Sequence, residues 1–478
     1  MDRRKFVGTL AGAPLSARWL GSLGSLGRGP GQATGVRVGE VTPTTAVIWT
    51  RLTLHSTRYR EGVVIPGRMD DYKGRDLPRP TVPVDQLEGV CPATSGQVRL
   101  RYGLDAKLRH TGTTEWVSVR AEDDGICHFR LEGLRPDSLY YFTSESRTPR
   151  GSGRGAEVQG QFRTAPLANQ VSQVRFCVMS CQGYPDRGHV DGHDIYPAMQ
   201  SLNPAFACLT GDLVYYDNDM PRANDARLAR YHWERMFSLP RLIDFNRRHA
   251  TYWLKDDHDT LSNDAWPGMT MGQLTFAEGQ QIFREQAPLG KGPGYRTFRW
   301  GRDLQIWLSE GRDHRSPNRL PDSATKTIWG VEQIEWFKRT VLESNATWKV
   351  LVSPTPLVGP DRPSGKSDNH SNVDFRSEGE ALRGWIRANA PENLIVICGD
   401  RHWQYHSVHP ETGLHEFSVG AASNEHAGGT PGENPKYHRF HRVAGGFLSV
   451  EVSRVGGRPQ LISRHHDTQG RVVYESVR

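Results

Sequence analysis

Six short apolar runs punctuate the chain after Gln173: VRFCVMS, AFACL, ATYWL, LQIWLSE, TWKVLVSP and NLIVICGD. Each is long enough for a strand and too short for a helix, and apolar residues follow one another with little polar alternation. Strands of this kind are buried on both faces, so their sheets must be covered by helices or by another sheet. Helix-like stretches such as residues 331–342 lie between the runs, and residues 445–450 and 471–475 read as closing strands. The rhythm predicts an α/β or α+β domain whose mixed sheets are flanked by helices.

Upstream the texture differs. "GVRVGEVTPTTAVIWTRL" alternates apolar and polar positions on both sides of Thr42-Pro43-Thr44-Thr45, as a hairpin does. Further strands are expected at 97–102, 115–120 and 126–131. "LEGLRPDSLYYFTSES" resembles the turn and tyrosine-corner strand of a fibronectin type III sandwich. The Pro-rich residues 55–95 read as an insertion between strands, and 147–168 hold the last strand and a linker. The expected order is a leader and linker at 1–33, an all-β sandwich at 34–166 and a larger domain at 171–478.

A chain of 478 residues exceeds what one core usually holds, in keeping with two domains. The formal charge is only +7, and residues 1–28 carry +4 of it through Arg3, Arg4, Lys5, Arg18 and Arg28 against Asp2. That balance is too mild to argue for sequence-specific nucleic-acid binding. Arg3-Arg4 followed by Lys5-Phe6-Val7 resembles a twin-arginine export signal, which implies a periplasmic or extracellular protein and the twin-arginine machinery as a partner. No apolar run is long enough to span a bilayer. The six cysteines form no CxxC pair; Cys91 and Cys127 are candidates for a disulfide after export, a pairing that sequence leaves open.

Several runs end in residues of the metal-binding kind. VRFCVMS leads into Ser180-Cys181-Gln182, AFACLT into Gly211-Asp212-Leu213-Val214-Tyr215, ATYWLK into Asp256-Asp257-His258-Asp259, and NLIVIC into Gly399-Asp400-Arg401-His402. One acidic turn is ordinary. Four strand ends supplying Cys, Asp, Tyr and His are not, because the carboxyl ends of sheet strands can converge on one rim.

With these motifs (SCQ, GDLVYYD, DDHD and GDRHW) and "TIWGVEQIEWFKRTVLESNATWKVLVSPTP" at 327–356, the sequence resembles the PhoD-like alkaline phosphatases, a branch of the calcineurin-like metallophosphoesterases. The resemblance implies a secreted phosphatase or phosphodiesterase with a centre of ferric iron and calcium, manganese or zinc in place of one metal remaining open. Cys181, Asp212, Tyr215 and His402 would surround the iron; Asp212 would bridge to calcium, which Asp257 and Asp400 would also hold. Such donors are chemically consistent with those ions. A metal-activated oxygen would then attack phosphorus in line.

Other residues carry competing readings. His258 is a candidate to protonate the leaving group or bind phosphate, Asp256 to cap its loop, and Asn263 and Asp264 to support the ligands. Tyr216 reads as core. Arg312 suits substrate phosphate, although its segment, Leu308-Ser309-Glu310-Gly311-Arg312-Asp313-His314-Arg315, departs from the family's Leu-Asp-x-Arg. Residues 359–372, with Asp368, Asn369 and His370, read as a polar surface loop that could also line the site. The alternatives are a purple-acid-phosphatase-like enzyme, whose DxG, GNHE and GHxH motifs this chain lacks, and an inactive exported binding protein, which would be expected to have lost ligands. A monomer is expected.

Overall fold

A computed structural model describes residues 29–72, 79–362, 367–390 and 392–478. The twin-arginine reading falls on residues outside these.

The apolar runs form strands that build two sheets packed face to face. In the first, Val174–Met179, Phe206–Thr210 and Ala250–Leu254 run parallel and in register, with Leu209 opposite both Met179 and Trp253. In the second, Leu304–Leu308, Trp348–Ser353 and Leu394–Cys398 are parallel neighbours. Side chains alternate between two environments along each strand. Phe176, Val178, Phe206, Cys208, Ile306, Val350, Ile395 and Ile397 point into a shared core between the sheets. Cys177, Met179, Ala207 and Leu209 face the other way, under helices that include Ala226–Phe237 and Phe276–Gln286. Trp307, Leu351 and Val396 likewise meet Val331–Glu343 and Arg376–Asn389. The lack of polar alternation follows directly, since both faces of each strand are apolar.

The N-terminal part is the expected β-sandwich. Val36–Gly39 and Ala46–Arg51 form the hairpin, and Ile126–Leu131 pairs beside them. The facing sheet holds Gly96–Gly103, Val117–Val119, Leu139–Arg147 and Arg154–Arg163. Tyr140 makes the tyrosine corner, its hydroxyl accepting a hydrogen bond from the Arg135 N–H at 2.9 Å.

The two parts share a sheet. Val36–Gly39 pairs in parallel with Ala250–Leu254, through Val38 opposite Ala250 and Gly39 opposite Thr251. Three sandwich strands therefore extend the first sheet to nine strands. At its other end, Gly446–Val455 pairs antiparallel with Val174–Met179, followed by Arg458–Asp467 and Val472–Val477. Cys91 and Cys127 are buried free thiols rather than a disulfide. Among the described residues no helix is long and apolar enough to cross a membrane.

Candidate metal centre

Gly399 lets the rims of the two sheets meet, and Gly211 lets two neighbouring strand ends of the first sheet close up. A Cβ on Gly399 would lie 2.5 Å from Ser180 Oγ and 2.7 Å from Thr210 Oγ1, and one on Gly211 would lie 2.6 Å from Asp256 Cβ. Close backbone approach is what each Gly-Asp pair supplies. The residues that follow the strands turn sharply: Cys181, Asp212 and Asp400 all have left-handed backbones, with φ of 54°, 54° and 62°. A non-glycine residue there costs on the order of 1–3 kcal/mol, and such strain collects at functional sites.

Hydrogen bonds lace the loops together. The Gln182 N–H donates to Asp212 O at 2.9 Å, and Gln182 Nε2 donates to Leu213 O at 3.0 Å. Asp259 is fully buried and accepts from two loops, the Leu213 N–H at 3.1 Å and the Asp256 N–H at 2.7 Å.

This frame gathers three groups of donor side chains: Cys181, Asp212 and His402; Asp212, Asp257 and His258; and Asp212, Asp256 and Asp400. Within each, one donor atom per residue lies within 4.8 Å of the others. Asp212 belongs to all three. Cys181 Sγ donates to its Oδ2 at 3.5 Å and Tyr215 Oη at 3.3 Å, while its buried Oδ1 has no hydrogen-bond partner among the described residues. Tyr215 Oη also lies 3.4 Å from His402 Nε2.

The electrostatics favour added positive charge. Burial, reinforced by Asp212, pushes the Cys181 thiol well above its usual range. Burial and the charges of Asp212 and Cys181 do the same to Tyr215. Burial raises Asp212 well above a normal carboxyl, opposed by His258 and reinforced by Asp257. Acidic groups that hold one another protonated are those a multivalent cation would deprotonate and bind. The donor set thus fits a metal centre.

All six expected ligands converge here, as do the two expected catalytic residues. His258 Nδ1 contacts Asp217 Oδ1 at 2.6 Å, and burial, which would lower its pKa, is outweighed by Asp217, Asp257 and Asp212. Arg312 is fully buried; its Nε donates to Asp256 Oδ1 at 2.5 Å. Among the described residues its terminal nitrogens make no hydrogen bond, and Nη2 stands 3.5 Å from Asp257 Oδ2 as an ion pair. Asp256 therefore does more than cap a loop, since it pairs Arg312 and stands in a donor group. Asn263 and Asp264 act through their backbones, Asn263 N–H on Asp217 and Asp264 N–H on Asp257. Glu310 accepts from the Arg312 N–H at 2.9 Å and from Lys255 Nζ at 2.6 Å, tying the Arg312 loop to the loop of Asp256. Tyr216 is core, as expected, with its hydroxyl accepting from Trp233 Nε1.

One expectation is corrected. Asp368, Asn369 and His370 are buried, not on a polar surface loop. Arg401 draws the segment inward by pairing with Asp361, Asp368 and Asp400 at once. Sequence reasoning also missed His426, whose Nε2 lies 2.9 Å from Tyr215 Oη and whose ring meets His402.

The chain matches two family profiles, "PhoD-like phosphatase" over residues 176–444 and "PhoD-like phosphatase, N-terminal domain" over 27–166. No curated protein matches it. Among solved structures, one described as "Structure of PhoD" superposes with a TM-score of 0.70 at 18% identity, covering 94% of this chain and 89% of that one. A purple acid phosphatase from yellow lupin (Lupinus luteus) seeds follows with a TM-score of 0.63 at 12% identity, covering 92% and 73%. At these identities the likeness concerns fold. By both profiles the chain belongs to the PhoD-like phosphatase family, the metallophosphoesterases whose fold it shares.

Proposed function

We propose that the protein hydrolyses phosphate mono- and diesters at a centre of ferric iron and calcium. The observation that carries this reading is Asp212, shared by all three donor groups and with one carboxylate oxygen free of hydrogen bonds, as a bridging ligand requires. Around it, Cys181, Tyr215 and His402 offer sulfur, phenol and imidazole, which suit iron. Asp257 and Asp400 offer oxygen alone, which suits calcium. When bound, such cations neutralise charge on the phosphoryl oxygens and activate water for in-line attack.

The chain's own residues supply the remainder. Arg312 has its terminal nitrogens uncommitted to hydrogen bonds, a fork that suits two phosphoryl oxygens. Asp217 holds His258 through Nδ1, leaving Nε2 to donate a proton to the departing alcohol oxygen. The Arg3-Arg4 leader would take the folded enzyme out through the twin-arginine route, to act as a monomer outside the cytoplasm.

Calcium chelation tests the centre. Turnover of a chromogenic phosphomonoester and a chromogenic phosphodiester should cease and return on adding calcium back. Unchanged rates after exhaustive calcium removal would sink the metal assignment. Replacing Arg3 and Arg4 together by Lys should leave folded enzyme in the cytoplasm; unaltered export of that variant would show the pair to be incidental.

A further inference from the structure

A hydrogen-bonded chain runs from the N-terminal sandwich to the Tyr215 hydroxyl. The insertion between the sandwich strands carries Arg68, which forms an antiparallel bridge with Asp219, on the loop that also carries Tyr215. Two backbone bonds fix this contact: Met69 N–H to Asn218 O at 2.8 Å and Met220 N–H to Gly67 O at 3.2 Å. Arg68 pairs with Asp186, whose Oδ2 lies 2.9 Å from His426 Nδ1. Arg68 Nη2 contacts the same Nδ1, and on the other side of the ring Nε2 faces Tyr215 Oη at 2.9 Å. The His426 side chain is 1% exposed.

We propose that His426 is a positioning residue of the metal centre. Its Nε2 fixes the Tyr215 hydroxyl, while Asp186, clamped by Arg68, fixes the ring. The inference rests on Tyr215 being a metal ligand, as argued under Proposed function. Geometry sets the role: a phenol can swing about its Cβ, and Oη already has weaker contacts with Asp212 at 3.3 Å and His402 at 3.4 Å. The 2.9 Å contact with His426, shorter than either of these, selects one direction. A carboxylate–histidine pair behind a ligand is a common means of orienting it. The arrangement also gives the sandwich a stake in the site, because the guanidinium that closes the chain belongs to its insertion.

The test is metal retention, read by equilibrating purified protein against graded chelator and measuring bound metal by elemental analysis. His426→Leu should weaken retention by about 10–100-fold, the usual cost of losing such a supporting group. His426→Gln, whose amide can still meet the hydroxyl, should recover much of it, and Asp186→Asn should move retention the same way by less. In a Tyr215→Phe background, His426→Leu should add nothing, since the hydroxyl it orients is gone. Wild-type retention in His426→Leu overturns the proposal. So do losses that add in full to those of Tyr215→Phe. If Tyr215→Phe alone keeps its metal, the ligand assignment itself falls and the inference with it, an outcome distinct from additive losses. Should His426→Leu fail to fold, the same cycle with Asp186→Asn decides the matter.

Discussion

Tyr215 and Tyr216 are adjacent, both fully buried, and differ in everything their hydroxyls touch, so removing one oxygen from each gives a matched comparison. Tyr216 Oη accepts from Trp233 Nε1 at 2.5 Å, inside the helix-covered core where Trp233 stacks on Phe237 and Trp253. Tyr216→Phe leaves the ring and its packing but strands a buried indole N–H. That should cost about 1–3 kcal/mol and lower Tm by a few degrees. Metal content and turnover should stay near wild type. Tyr215→Phe removes an oxygen in contact with His426, Asp212 and His402. Here the apo protein should lose a comparable amount, about 1–3 kcal/mol, because the buried His426 Nε2 loses its partner. The holo protein should lose a metal donor, at least about tenfold in turnover if the loss matches that of a supporting group, and any phenolate-to-iron charge-transfer colour. Calorimetry of apo and holo forms, elemental analysis and a visible spectrum would separate the two variants. If Tyr216→Phe lost metal and rate while Tyr215→Phe kept both, the register of the ligand loop would be wrong.

Asp259→Ala would leave the N–H groups of Leu213 and Asp256 unpaired. A stability loss of about 2–5 kcal/mol and weaker metal retention should appear together in urea titrations and metal analysis; an effect on neither would remove its latch role. Glu310→Gln breaks a buried pair with Lys255 and should cost about 3–5 kcal/mol, with a raised KM if the Arg312 loop shifts; a neutral result would show that Asp313, 2.6 Å from Lys255 Nζ, suffices alone. Burial lowers His193 to about 4 and His465 to about 3. The unfolded chain therefore takes up protons on falling through pH 6.5 while the folded one does not, so stability drops between pH 6.5 and about 4. By pH 5 each contributes a loss of about 2 kcal/mol. His193→Asn should flatten that slope in denaturation midpoints, and an unchanged slope would exclude His193 as its source.

What the sequence made legible follows the range of the forces involved. Runs such as AFACL and NLIVIC declare strands because both faces are buried, and the residues just beyond them inherit a position on the rim. That is why Cys181, Asp212, Asp400 and His402 could be found. Arg458–Asp467 was not found, because its inward positions include Ser463 and His465 and the apolar alternation is lost. The nine-stranded sheet was equally hidden. Val36–Gly39 joins Ala250–Leu254 through two register positions more than 200 residues apart, and no local pattern encodes such a pairing.

The misses around the site share one physical cause. Residues 359–372 are polar and read as surface, yet a single guanidinium, Arg401, satisfies Asp361 and Asp368 of that segment and its own neighbour Asp400, so burial of those carboxylates becomes affordable. His426 and Asp186 each stand seven residues beyond a strand end (Val419 and Met179), farther out than Cys181 or His402, and Arg68 lies in the insertion between the sandwich strands. Composition scores each as a lone polar residue on a loop. Only the folded chain sets them in sequence, Arg68 against Asp186, Asp186 against His426 and His426 against Tyr215. The candidate donors of such a centre are legible because strands present them. The groups that aim those donors are not, since any loop passing the rim can supply them, here including one from the other domain.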